Sequence, residues 1–152
     1  MQEIKVTPTN NPEFGYTDKD ELLNDVIVHR NDVSKVLSCI ALQLVENGLK
    51  HDWTKTEYFD DFARDTLERQ EIPEFKERDW YKINTSLEMH HITANAPVDV
   101  DLLDLLEFIC DCIIAGKTRS GDVNLEFLNI DDNLLRQCYT NTVLKLMNII
   151  QI

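Results

Sequence analysis

Apolar residues recur at steps of three and four along most of the chain, a spacing that places them on one face of an α-helix. The longest such run predicts a helix that starts near Thr17 or Asp18 and stops at Asn47-Gly48. Its apolar stripe is predicted to face a core and consists of Leu22, Val26, Val33, Val36, Leu37, Ile40 and Leu44. His29 falls on the same stripe.

Further runs of the same spacing predict four more helices: Lys55 to about Gln70, Pro73 to His91, Asp99 to Ala115, and Asp131 or Asp132 to the C-terminus. Thr54 and Glu57 have capping-box spacing at the start of the first of these, Ile72-Pro73 ends it, and Gly116 is a predicted C-cap. Strand patterns are weak throughout. The sequence therefore predicts an irregular N-terminal arm over residues 1–16 and, over residues 17–152, an all-α single-domain bundle of about five to six helices.

Composition narrows the class of protein. The chain has 152 residues, which suits one domain, and its formal net charge of -13 argues against nonspecific nucleic-acid binding. No apolar run approaches the roughly 20 residues of a membrane span, and the N-terminus lacks a signal-peptide pattern. Four cysteines without metal-site spacing are predicted to be reduced core residues: Cys39, Cys110, Cys112 and Cys138. We therefore expect a cytoplasmic protein that does not enter a membrane.

The histidines suggest a metal site. In chain order the candidate ligands are His29, then the pair His51-Asp52, then His90-His91, then Asp111, and the chain has 4 histidines in all. Imidazole and carboxylate groups are good ligands for divalent metals, and ligands that converge in a helical protein must come from facing helices. The alternatives are a satisfied core histidine at 29, an ordinary capping pair at 51–52, and a solvated acidic face formed by Asp104, Glu107 and Asp111.

The order H…HD…D resembles the HD-domain superfamily of metal-dependent phosphohydrolases. The resemblance covers Leu22 to Gly116, and it is closest to a small uncharacterised group of HD-like proteins of bacteria and phages. Those carry H-D-x-[ST]-K, a later H-H pair and an acidic E-x-x-x-D helix. The matching residues are His51-Asp52-Trp53-Thr54-Lys55, His90-His91, and Glu107 with Asp111.

This resemblance implies roles for individual residues. His29, His51, Asp52 and Asp111 would hold one divalent ion (manganese, iron, cobalt, nickel, zinc or magnesium), and His90 and His91 would hold a second ion or contact the substrate. Asp52, Lys55 and Glu107 are the candidate catalytic residues. The candidate substrate-binding residues are Lys55, His90, His91, Lys117 and Arg119. Many HD hydrolases carry a carboxylate where this chain has Lys55, and Glu57 or Glu107 is the candidate replacement.

The function that the resemblance implies is hydrolysis of a small phosphate ester, with a nucleotide as the favoured substrate and a homo-oligomer as a possible assembly. A salt bridge to a nearby carboxylate is the alternative role for Lys55. Two other functions fit the same sequence. One is an HD-like protein that binds metal or a ligand without turnover, and the other is an acidic protein-interaction or inhibitor protein of phage type.

Overall fold

The computed structural model of the chain describes residues 2–9, 15–16, 18–67, 74–92, 97–123 and 130–152. In chain order the elements are β1 (Ile4–Lys5), α1 (Lys19–Lys50), α2 (Trp53–Glu57), α3 (Phe59–Leu67), a 3₁₀ turn (Phe75–Glu77), α4 (Asp79–Leu87), α5 (Leu102–Arg119), α6 (Asp132–Ile149) and β2 (Ile150–Gln151). Helix dominates these residues, which confirms the all-α class. The short strands β1 and β2 pair in parallel, with Ile4 opposite Ile150.

The chain forms two compact units, Met1–Val45 with Val143–Ile152, and Glu46–Thr142. The boundaries between the units lie inside α1 and α6. Among the described residues, no helix is both long enough and apolar enough to cross a membrane.

Two predicted glycine stops are wrong. Helix α1 continues through Asn47 and Gly48 to Lys50, and α5 continues through Gly116 to Arg119. A glycine inside a helix costs only about 0.5–1 kcal/mol relative to alanine, so a glycine alone does not end a helix. At Gly116 the glycine has another use, because an added Cβ would lie 2.7 Å from the backbone oxygen of Asp122. It lets the turn after α5 approach the helix closely.

Other helix boundaries also differ from the sequence prediction. The segment from Lys55 is divided at Tyr58, whose φ of -108° and ψ of 42° are not helical, so α2 and α3 are separate helices. The predicted stop at Ile72-Pro73 lies outside the described residues. Helix α4 ends at Leu87, so His90 and His91 follow the helix instead of lying on it. The predicted start of α6 is confirmed, because the Asp131 carboxylate accepts hydrogen bonds from the backbone nitrogens of Asn133 and Leu134.

The unit Glu46–Thr142 has a small apolar core. Its buried members are Ile92, Val100, Leu105, Phe108 and Cys138, with partly buried neighbours on α5 and α6. Helix α5 is held at its start by a capping box between Asp101 and Asp104, so Asp104 is not part of a solvated acidic face. The four cysteines are free thiols, as predicted, but Cys110 is exposed and is not a core residue.

The unit Met1–Val45 with Val143–Ile152 buries little of its apolar stripe. On α1, Val26 is 55% exposed and Leu37 is 59% exposed, whereas Val36, Ile40 and Leu44 are half-buried, so the prediction that this stripe faces a core is met only in part. Part of the stripe instead lines an open apolar groove of about 400 Å³ whose other lining residues include Val6, Leu146 and Ile150. The buried residue of α1 is Asp32, which accepts hydrogen bonds from the backbone nitrogen of Thr7 and from Lys35.

Candidate metal centre

The His51-Asp52 pair lies in the turn between α1 and α2. Asp52 has a φ of 57° and is the non-glycine residue with positive φ among the described residues. Aspartate tolerates this left-handed conformation better than most residues do. Asp52 precedes α2, but its side chain makes no capping hydrogen bond. The sharp turn therefore leaves both side chains of the pair available to the cluster described below.

Thr54 holds this turn in place and does not form the predicted capping box. Its backbone nitrogen donates to Glu88 Oε1 at 2.9 Å, and its hydroxyl oxygen accepts from Asn84 Nδ2 at 2.8 Å. Thr54, Asn84 and Glu88 are all buried. Because a buried polar atom is costly without a partner, these hydrogen bonds fix α2 against the end of α4.

One carboxylate oxygen orients two imidazole rings. Glu107 Oε1 lies 2.9 Å from His51 Nδ1 and 3.1 Å from His90 Nδ1. The two ring centroids are 4.3 Å apart. An ionised carboxylate only accepts hydrogen bonds, so both Nδ1 atoms carry the proton and donate it to Glu107. In the neutral form of each ring this leaves Nε2 with a lone pair.

The Nε2 side of the His51 ring faces two more carboxylates. His51 Nε2 is 3.4 Å from Asp52 Oδ2 and 3.4 Å from Asp111 Oδ1. Two ligand atoms that each lie about 2.1 Å from one metal ion are separated by roughly 3.0–3.4 Å, depending on the coordination geometry. Asp111 lies one helical turn beyond Glu107, so α5 presents both carboxylates on one face. The spacing therefore matches that of ligands around a shared cation.

Three polar atoms at this cluster lack a hydrogen-bond partner among the described residues. They are Asp52 Oδ1, His90 Nε2 and His91 Nε2, and all three are buried. Ligand atoms of His51, Asp52 and His90 also lie within 4.8 Å of one another. Buried polar groups almost always have a partner, so these three atoms are candidates for contact with a bound species such as an ion.

The charges of the cluster shift the pKa values of its members. The carboxylates of Asp111 and Glu107 raise the pKa of His51 to about 10, and His51 in turn holds the pKa of Asp111 below its usual value. Burial would raise the pKa of Glu107, but the hydrogen bonds from His51 and His90 outweigh it and bring the pKa to about 2. Burial, followed by the nearby His90, lowers the pKa of His91 to about 4, so His91 is neutral at pH 7.

The other predicted site residues lie in different surroundings. Lys55 Nζ pairs with Asp52 Oδ2 and lies 5.8 Å from the centroid of the Trp80 ring, so the salt-bridge alternative for Lys55 is seen. Lys117 is exposed. Arg119 and Asp111 line one pocket of about 350 Å³ beside the end of α5. His29 belongs to the other unit, where it is exposed and lines the apolar groove, and its role as a metal ligand stays a prediction.

Sequence reasoning missed Asn84 and Glu88, whose only sequence signal is that they are polar residues spaced one turn apart near the end of a helix. The comparisons with known proteins add no assignment. No family model, no curated protein and no solved structure matches the chain, so its likeness to the HD-domain superfamily remains a prediction from the sequence.

Proposed function

We propose that the cluster around His51 binds a divalent metal ion and that the chain is a metal-dependent phosphohydrolase acting on a small phosphate ester. The observation that carries the proposal is the pairing of Glu107 with both imidazoles. Metal-binding histidines usually donate the second ring nitrogen to a carboxylate, which fixes the tautomer and aims the other nitrogen at the ion. Here a single carboxylate orients His51 and His90 in that way.

The residues present fit such an ion. His51 Nε2, His90 Nε2, Asp52 and Asp111 offer mixed nitrogen and oxygen ligands, which suit several first-row divalent metals. The buried and unpartnered atoms Asp52 Oδ1 and His90 Nε2 would both gain a partner. In this assignment Glu107 positions the histidine ligands. This positioning role takes the place of the catalytic role that the sequence predicts for Glu107. His90 becomes a ligand instead of a contact to the phosphate.

A divalent ion held in such a site acts as a Lewis acid on a phosphoryl oxygen and lowers the pKa of water to near neutrality. The residues of the chain supply binding and orientation. Lys55 lies beside Asp52 and can shift its ammonium group from that carboxylate to a phosphate oxygen. Arg119 lines the pocket that Asp111 also lines, so a phosphate ester that reaches the cluster can extend toward a guanidinium group.

A second candidate is metal binding without turnover. The contact between Lys55 and Asp52 favours it, because an ammonium group occupies the place of the carboxylate that many HD hydrolases use in proton transfer.

Metal analysis followed by an activity screen tests both candidates. The purified chain is loaded with Mn²⁺, Zn²⁺ or Co²⁺, and the bound metal is counted by elemental analysis. It is then assayed on p-nitrophenyl phosphate and a panel of mononucleotides. The proposal predicts at least one ion per chain and phosphate release that stops with chelator. Metal without release supports the second candidate, and a chain that binds none of these ions contradicts both.

A further inference from the structure

The apolar residues of α1 have a regular spacing that its own unit uses only in part. Steps of four and three alternate along the helix through one seam, which consists of Leu22, Val26, His29, Val33, Val36 and Ile40. This is the heptad spacing of a coiled coil, in which two positions of every seven face a partner helix. Four of the six seam residues line the open groove: His29, Val33, Val36 and Ile40.

The residue types along the seam match part of the pattern of two parallel helices. One of the two alternating seam positions is β-branched each time, with Val26, Val33 and Ile40. Parallel dimers combine such residues with leucine at the other position, where this seam has leucine once, at Leu22. His29 lies at that other position and is the polar residue of the seam. Val26 and Val33 are 55% and 43% exposed, so the described chain leaves the seam open to a partner.

The charges beside the seam favour a second copy of the same helix. Asp25 and Arg30 flank the seam on opposite sides, five residues apart, which is the separation at which flanking residues of two parallel helices meet. Two-fold symmetry makes this pair twice. Antiparallel helices would instead place each Asp25 beside the Asp25-bearing side of the partner helix, away from Arg30, so this pair would be lost. Asp25 already accepts a hydrogen bond from the Tyr16 hydroxyl, and a carboxylate can accept several more.

We propose that a second copy of this chain covers the seam, with the two α1 helices side by side and parallel. The partner helix removes the apolar side chains of the groove from water, which is the main driving force for such an association. The two Asp25–Arg30 pairs set the direction and the register. This dimer is independent of the metal centre, since it uses none of the residues of that cluster.

The oligomeric state of the full chain in excess chelator tests the proposal apart from the proposed function. Light scattering coupled to size-exclusion chromatography is expected to give about twice the chain mass of 17.7 kDa at micromolar concentration. Val33→Asp places a charge in the centre of the seam and is expected to raise the dissociation constant at least roughly a hundred-fold. The matched control Asn31→Asp changes an exposed residue of the opposite face and should leave the dimer intact. A wild-type chain that is monomeric at 100 µM, taken as roughly the upper end of ordinary dimer affinities, overturns the proposal.

Cross-linking keeps the proposal testable if Val33→Asp unfolds α1. In a background of Cys39→Ser and Cys110→Ser, Ile40→Cys is oxidised under mild conditions. Parallel helices bring the two residues 40 within disulfide reach, whereas antiparallel helices place residue 40 opposite the other end of the seam. The expected product is a disulfide-linked dimer from Ile40→Cys and none from Leu42→Cys, whose position is off the seam and 66% exposed. Equal linking from both, or linking from neither, contradicts the parallel pairing.

Discussion

The two units of this chain depart from ordinary burial in opposite ways. In the unit Glu46–Thr142, histidines and carboxylates are buried or half-buried, and some of their atoms have no hydrogen-bond partner in the part of the chain that the structure describes. The unit Met1–Val45 with Val143–Ile152 leaves apolar side chains of α1 in contact with water. A buried polar atom needs a hydrogen bond or an ion, and an exposed apolar face needs a cover. The two proposals above therefore assign a different partner to each unit, an ion to the first and a second copy of the chain to the second.

In the unit Glu46–Thr142, the largest expected effect comes from removing a residue that would bind the metal. His51→Ala and Asp52→Ala should each abolish stoichiometric metal binding, because each removes a donor at the centre of the cluster. His29→Ala is the matched control, and its metal content should equal that of the wild type if the cluster in the unit Glu46–Thr142 is the complete site. Elemental analysis per chain is the measurement. Loss of metal in His29→Ala would restore the ligand set predicted from the sequence.

Loss of the Glu107 carboxylate, which orients the two imidazoles, should weaken metal binding without abolishing it. Glu107→Gln keeps the size of the side chain but removes the charge that holds the two Nδ1 protons, so metal affinity should fall about 10–100-fold. Titration calorimetry measures the change, and Glu57→Gln, at an exposed carboxylate of α2, is the control. An unchanged affinity in Glu107→Gln would show that Glu107 does not orient the ligands.

The hydrogen bonds that join Thr54 to Asn84 and Glu88 should contribute to folding stability rather than to metal affinity. Thr54→Val leaves Asn84 Nδ2 buried without its acceptor, which should lower the free energy of unfolding by about 1–3 kcal/mol. Thr56→Val, at an exposed position of the same helix, should change it by less than about 0.5 kcal/mol. Urea unfolding of the metal-free protein measures both. Equal effects would mean that the network does not hold α2 on α4.

The smallest expected effect concerns Asp32, the buried carboxylate of α1. The hydrogen bond from Lys35, and then that from the Thr7 nitrogen, lower the pKa of Asp32. The folded pKa is below the unfolded value of about 3.9, so the stabilisation is present above that pH and is lost as the pH falls through the folded pKa. The difference in stability between wild type and Asp32→Asn should therefore shrink in acid.

Unfolding experiments between pH 3 and pH 7, the range that spans the ordinary aspartate pKa of about 3.9, measure this difference. Lys35→Gln removes the largest cause of the shift and should give a weaker dependence on pH. If the free energies of unfolding of the wild type and Asp32→Asn differ by the same amount over the whole pH range, the hydrogen bonds to Asp32 do not stabilise the fold as described.

Local signals in the sequence predicted much of the fold and only part of the site. The helix type and the start of α6 at Asp131 follow from periodicity and capping chemistry. The predicted helix ends at Gly48 and Gly116 are wrong, because neighbouring packing decides whether a helix continues through a glycine. Periodicity identifies the stripe of α1 correctly as apolar. It does not say whether residues of the same chain or of another chain pack on the stripe.

The geometry of the site depends on contacts between distant residues. Glu107 meets His51 across a sequence separation of 56 residues, and Glu88 meets Thr54 across 34. Sequence spacing placed Glu107 on the same helix face as Asp111, yet it could not show that one carboxylate oxygen reaches two imidazoles. For the same reason the sequence left two roles open for Lys55, a contact to the substrate phosphate and a salt bridge to a carboxylate, and the structure pairs it with Asp52.

Anomalous diffraction from crystals grown with zinc tests the central claim most directly, because it locates an ion relative to named atoms. The account predicts a peak about 2.0–2.1 Å from both His51 Nε2 and His90 Nε2, with Glu107 still on the two Nδ1 atoms. A peak bound through either Nδ1, or no peak at this cluster, would contradict it.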